Sequence, residues 1–209
     1  MRTLVCSLVT LAALTAGPAA DAATFRFDTD PFAGADVSEP GRQVVGGEAS
    51  IDFDIANDLF SLDPFVFGLD GTEVLFANGL VGDLPTTNLN VVVLQSFDND
   101  DDPATPFGAG NAASLIAAQL TTPGPGFFIY FNSGLDLPRL VFSTDLSDNT
   151  ADLRILFRMT NLVGESGRDA IPSFSADNFE LRAVPEPVTL ALVGLGMAAG
   201  LGRARRRRE

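Results

Sequence analysis

Carboxylates are the one plentiful reactive group in this chain, and their densest run is Asp98-Asn99-Asp100-Asp101-Asp102. The D-x-D-x-D spacing puts Asp98, Asp100 and Asp102 where a tight loop can aim three carboxylates at one Ca²⁺. Asn111 or a backbone carbonyl would add to the shell. An EF-hand loop would continue with Gly at 103 and Glu at 109. The chain has Pro103 and Ala109, which excludes that loop. Acids this crowded repel one another unless a cation or open solvent relieves them, so a calcium loop and a solvated acidic loop both meet the pattern. Paired carboxylates also serve general acid–base hydrolysis. The best-spaced pair is Asp52 and Asp54 in Ile51-Asp52-Phe53-Asp54-Ile55, both on one side of an alternating segment. The exposed face of an outer strand gives the same spacing.

What the chain lacks narrows the chemistry. Among 209 residues there are 27 acidic ones and 13 basic ones, all Arg, with no Lys, His or Trp, and Cys6 is the sole cysteine. No Ser-His-Asp or Cys-His relay can be built, and no histidine can ligate a metal. No Walker loop is present, because its lysine is missing. Ser143 and Ser147, near Asp145 and Asp148, fit turn chemistry. Sugar-binding faces stack rings on Trp or Tyr, and Tyr130 is the only tyrosine. Phe65, Phe67, Phe107 or Phe128 would have to substitute, although phenylalanine more often goes to a core.

These groups must be held by a mainly β body over 23–183. Period-2 alternation places Phe25 and Phe27 against Arg26 and Asp28, and Ile51, Phe53 and Ile55 against Asp52 and Asp54. Leu153, Ile155, Phe157 and Met159 alternate with Arg154 and Arg158, with Leu156 as an exception on the outer face. Phe179 and Leu181 alternate with Asn178, Glu180 and Arg182. Val91 to Leu94 and Phe127 to Phe131 are apolar on both faces and read as central, doubly covered strands. Phe65 to Phe67, Val74 to Ala77 and Leu140 to Phe142 read as further strands, separated by Gly, Pro and Asn-Gly breaks. One helix is predicted over 112–120, capped by Asn111. The expected fold is all-β, a two-sheet β-sandwich of jelly-roll type with one short helix. The body carries seven Arg against 24 acidic residues, hence a net charge of −17, which repels nucleic acid.

Both ends of the chain read as export signals outside that body. In residues 1–22, Arg2 is followed by an apolar run from Leu4 to Ala16, a Gly17-Pro18 break, and Ala20-Asp21-Ala22. This is the pattern of a signal peptide cut after Ala22, with Ala20 and Ala22 as the small residues of the site. An uncleaved N-terminal anchor is the alternative, and the run is short for it. At the other end, 188–202 is an unbroken stretch of apolar, Gly and Thr residues, about 22 Å long as a helix against a hydrocarbon core of about 30 Å. Arg203, Arg205, Arg206, Arg207 and Arg208 follow as a basic stop-transfer cluster, retained in the cytoplasm by the positive-inside rule. Before the span stands Val184-Pro185-Glu186-Pro187, extended because each proline drives its predecessor out of the α region.

Three short stretches resemble known families. Val184, Pro185, Glu186 and Pro187, then a Gly-rich apolar span, then an arginine cluster, resemble the PEP-CTERM sorting signal over 184–209. That resemblance implies export in a Gram-negative, exopolysaccharide-producing bacterium. It also implies an exosortase, a membrane transpeptidase, that recognises and removes the tail, leaving the body at the cell surface or in the extracellular matrix. The tail is also similar to the C-terminal domain named for ice-binding proteins. Ice-binding surfaces need flat Thr arrays, and Thr86-Thr87 and Thr121-Thr122 are isolated pairs. Asp177-Asn178-Phe179 resembles the closing strand of concanavalin-like and carbohydrate-binding sandwiches. Concanavalin-like glycosidases carry alternating acids E-x-D-x-E. Asp52 and Asp54 are the closest match, without a third acid at 56 and without Glu. The expected function is that of an exported structural or binding module without catalytic activity, with extracellular polysaccharide as its partner and calcium as the one cofactor to consider. The alternatives are a carbohydrate-active hydrolase using Asp carboxylates and a permanent single-pass membrane protein.

Overall fold

The structure is a computed structural model that describes residues 22–183, apart from 36, 38–40, 99, 101 and 103. Its elements in chain order are β1 (Thr24–Phe27), β2 (Val44–Val45), β3 (Ala49–Ile51), β4 (Leu59–Leu62), β5 (Phe76–Gly79) and β6 (Val91–Leu94). Then come α1 (Ala109–Gln119), β7 (Gly126–Asn132), β8 (Leu137–Ser143), β9 (Leu153–Met159), α2 (Gly164–Ala170) and β10 (Phe179–Leu181). β1, β4 and β10 form a three-stranded sheet in the order β1-β4-β10. The larger sheet runs β2-β9-β8-β7-β6-β5, with β3 also paired to β9.

The sequence explains the layering. Phe60 and Leu62 of β4, Phe179 and Leu181 of β10, and Phe127, Phe142 and Phe157 of the large sheet meet in one core between the sheets. Its rings interlock closely: Phe53 stacks on Phe60 with centroids 4.3 Å apart, and Phe67 meets Phe127 edge-on at 4.7 Å. The doubly apolar runs use their other face too. Val92, Leu94, Phe128 and Tyr130 pack under Ala112, Ala113 and Ile116 of α1 in a second core. Helix α1 begins earlier than 112. Gly108 is its N-cap, and Asn111, three residues on, accepts the Gly108 N–H on Oδ1 at 3.3 Å.

Four expectations need correction. The alternating segment Ile51 to Ile55 is strand only at Ile51, the end of β3; Asp52 to Asp54 are irregular and Ile55 opens a turn. A jelly roll pairs its strands antiparallel, but here only β7–β8 and β8–β9 do so among the described residues. β1–β4, β10–β4, β5–β6, β6–β7, β2–β9 and β3–β9 all run parallel. Side-chain alternation reports which faces are buried and carries no strand direction. The doubly covered β6 and β7 are in fact the pattern of parallel strands. There are also two α-helices where one was expected. α2 contains Gly164 and Gly167, a poor helical composition. Gly167 is required by packing, since a Cβ there would lie 2.3 Å from the Leu162 carbonyl. Finally, Phe65 to Phe67 form a turn. The strand falls earlier, at Leu59–Leu62, and stops before Asp63-Pro64.

The Leu156 exception has a local cause. The β8–β9 ladder pairs Leu140 with Phe157 and Val141 with Ile155, so Leu156 is an extra residue at a bulge. The bulge reverses the facing of β9: Leu153 and Ile155 point to the α1 side, whereas Leu156, Phe157 and Met159 point to the inter-sheet core. The signal peptide expected over 1–22, except Ala22, and the tail expected over 184–209 lie outside the described residues. No helix among the described residues is long and apolar enough to cross a membrane.

Candidate functional site

β4 organises both termini of the body. β1 pairs with it from Thr24↔Leu59 to Phe27↔Leu62, and β10 pairs from Phe179↔Phe60 to Leu181↔Leu62, both parallel. The chain therefore enters the sheet at the Leu59 end of β4 and leaves at the Leu62 end, where the Arg182 N–H donates to the Leu62 carbonyl at 2.9 Å. The entry end is clasped by the turn 54–58. Asp58 is buried; its Oδ2 accepts the Asp54 N–H at 2.8 Å and its Oδ1 accepts the Ala23 N–H at 2.7 Å. Buried Asn178 donates from Nδ2 to the Ile55 and Asp58 carbonyls at 2.7 and 3.1 Å, and its Oδ1 accepts the Ser175 N–H. In Asp177-Asn178-Phe179 the asparagine thus ties the last strand to that turn.

The acidic candidates separate. Asp98 Oδ1 accepts the Asp100 N–H, Asp100 Oδ1 the Asp102 N–H and Asp102 Oδ1 the Ala104 N–H, at 3.1, 3.1 and 2.9 Å. These are successive Asx turns, in which each carboxylate caps the backbone two residues ahead. No group of three or more acidic or cysteine side chains among the described residues is placed to hold a metal. Asp52 Oδ1 accepts the Thr160 hydroxyl at 2.8 Å. Asp54 accepts the Ala56 N–H and the Asn57 amide, and these bonds hold its carboxyl below the usual carboxylate range. A cleft of about 510 Å³ opens beside Phe53, Asp54, Asn161 and Leu162, and Asp54 is the only acid lining it among the described residues. Asp52 does not line it, so the two carboxylates do not flank one substrate position. The turn chemistry of Ser147 and Asp145 forms as expected, with the Ser147 N–H and hydroxyl both 2.8 Å from Asp145 Oδ1. Thr86 and Thr121 join two loops, the Thr121 N–H and hydroxyl both donating to the Thr86 carbonyl.

The ring candidates also sort by burial. Phe67, Phe107, Phe128 and Tyr130 are core residues, and burial pushes the Tyr130 hydroxyl up in pKa. Phe65 is 76 % exposed. The sequence reading missed Phe97, which is 42 % exposed and lies against the Arg168 guanidinium at 4.6 Å. Leu80, Gln95, Phe97, Arg168 and Asp169 line a cleft of about 300 Å³. The cleft thus combines one half-exposed aromatic ring with a guanidinium, a carboxamide and a carboxylate. The signal was hard to read because Phe97 and Arg168 are 71 positions apart and meet only through the fold.

A second missed cluster is ionic. Arg139 and Arg158 face each other across the β8–β9 ladder. Both pair with the buried carboxylate of Glu48, Arg158 at 2.6 Å. Burial raises the Glu48 carboxyl. The hydrogen bonds from Arg158, the backbone and Arg139, with the Arg139 charge, outweigh that and hold it at about 2. Glu48 reaches them because β2 and β3 are two halves of one edge strand interrupted at Gly46-Gly47-Glu48, where Gly47 has φ +94°.

A parallel-and-antiparallel β-sandwich with one helix-covered face, followed by a short C-terminal extension, defines the class. The extension is specific: residues 183–208 match the family model of the PEP-CTERM protein-sorting motif. The match begins one residue after Arg182, the last of the described residues whose backbone is tied into β4. The motif marks an exported, exosortase-targeted surface protein. Neither a curated protein nor a solved structure matches the chain.

Proposed function

We propose that the protein is exported, that an exosortase-type transpeptidase removes its tail at Val184 to Pro187, and that the body remains at the cell surface or in the extracellular polysaccharide matrix as a non-catalytic binding module. The observation that carries this reading is the sorting motif at 183–208, set directly after the last strand. Before processing, the apolar stretch 188–202 and the arginines after it hold the chain in the membrane. The test is intact mass with terminal peptide mapping of protein from the host's membrane and extracellular fractions. The expected species starts at Ala23 and ends between Pro185 and Pro187. A membrane species that retains Arg203 to Glu209 would instead make the tail a permanent anchor.

The binding role is assigned to the Phe97 cleft, with polysaccharide as ligand. Its composition supports this, and the structural hydrogen bonds of Asp52 and Asp54 disfavour a hydrolase. Phe97→Ala should weaken retention on the host's own polysaccharide about fivefold to tenfold. Equal retention of variant and wild type would remove the cleft from the proposal. Sugar release that is lost in Asp52→Asn would establish the hydrolase.

A further inference from the structure

We infer that removal of the export leader creates a structural ion pair, in which the new Ala23 ammonium is held by buried Asp58. This rests on the export reading above. A leader peptidase adds water across the Ala22–Ala23 peptide bond. Ala22 departs with the carboxylate, and Ala23 keeps the nitrogen, which takes up a proton to become an ammonium.

The body is built to receive that charge. The Ala23 nitrogen lies 2.7 Å from Asp58 Oδ1, the Ala23 carbonyl accepts the Leu59 N–H at 2.9 Å, and β1 starts at the next residue. Ala22, one step earlier, is exposed. Among the described residues, the hydrogen bonding of the body thus starts at the bond that the Ala20-Asp21-Ala22 pattern marks for cleavage. Asp58 is only 6 % exposed, and no arginine pairs with it among the described residues. Its partners there are neutral donors: the Asp54 N–H on Oδ2 and, at its own carbonyl, the Asn178 amide. A buried carboxylate without a cation is costly. With the leader attached, Ala23 offers one neutral N–H. After cleavage the same atom offers three donors and a full positive charge, and charge-assisted hydrogen bonds are about twice as strong as neutral ones. Maturation thus supplies the counter-ion for Asp58 and fastens edge strand β1 to β4.

The chain's lack of lysine makes the test selective, because the α-amino group is its only amine. The exported protein, with its natural N-terminus confirmed as Ala23 by peptide mapping, is treated with the N-hydroxysuccinimide ester of acetic acid, native and in denaturant. Acetylation of the native protein should be about tenfold slower or more, the factor that one unit of raised pKa provides. Asp58→Asn should bring the native rate to within about twofold of the denatured one. In a second arm, wild type is acetylated while unfolded and then refolded. Its denaturant midpoint should fall below that of the free-amine form, which needs no variant to fold. Equal native and denatured rates, or unchanged midpoints after acetylation, overturn the ion pair while leaving export intact. A retained leader, or a start other than Ala23, overturns the junction itself and is read from the peptide map alone.

Discussion

Glu48 decides whether two arginines can share one rung of the β8–β9 ladder. Like charges directly opposite on neighbouring strands repel, and the bridging carboxylate turns that repulsion into two ion pairs. Its folded pKa of about 2 lies below the ordinary glutamate value of about 4.3. A depressed carboxylate contributes stability that is present above the unfolded value and lost as pH falls through the folded one. Denaturant unfolding followed from pH 7 downward should therefore lose up to about 3 kcal/mol of stability from this residue between pH 5 and pH 2. Glu48→Gln should cost about 3 kcal/mol at pH 7, because both guanidinium groups lose their partner, and it should flatten the acid slope. An acid slope as steep in the variant as in wild type would show that other carboxylates carry it. Asp98, Asp100 and Asp102 are the contrasting case: carboxylates spent on backbone N–H groups one after another. Residue type and spacing alone do not separate these two uses, since both depend on what lies across the fold.

At the scale of elements, the sequence pattern located seven strands but not how they pair. β1, β6, β7, β8, β9 and β10 fall where alternation or doubly apolar runs put them, and β5 lies a little later than Val74 to Ala77. Strand direction was not legible, because period 2 is the same in parallel and antiparallel sheets. The bulge at Leu156 appeared as a break in alternation, yet its consequence, the switch of β9 from one core to the other, needs the partner strand to be seen. α2 was illegible because its glycines answer to packing against Leu162 and not to helix propensity. Gly126 shows how tightly the β6–β7 junction is built. A Cβ there would lie 2.5 Å from Leu146 Cδ1 and 2.7 Å from the Asn90 carbonyl, which accepts the Phe127 N–H. Gly126→Ala must push β7 off its neighbour, and a loss of about 3 kcal/mol in denaturant unfolding is expected. Gly71→Ala is the control: nothing lies within 4 Å of its Cβ position, so the change should stay within about 0.5 kcal/mol. Similar costs at both sites would mean that the junction yields more easily than its contacts imply.

For the molecule as a whole, the first and last described strands share one central partner, β4. β1 and β10 lie on either side of β4 in parallel, so the described chain enters this short sheet at its Leu59 end and leaves it at its Leu62 end. Four residues of strand separate them, about 13 Å, so neither end need disturb the other. Among the described residues, the last backbone tie to the body is made by the Arg182 N–H to the Leu62 carbonyl, and the sorting match begins at residue 183. Folding and sorting are therefore expected to be separable. A leaderless chain ending at Ala183 should unfold at the same denaturant concentration as the leaderless full chain in detergent, because no described contact of the body is lost. Pro185→Ala and Glu186→Ala should likewise leave that midpoint unchanged. In the host, however, they should shift the protein from the processed extracellular form to the membrane form, scored by intact mass and fractionation. Pro185→Ala lifts the conformational restriction that a proline places on its predecessor, and Glu186→Ala takes away the one charge among Val184 to Pro187. If truncation at Ala183 instead lowered the midpoint, the tail would be part of the folded body, and its release by a transpeptidase would destabilise the protein it delivers.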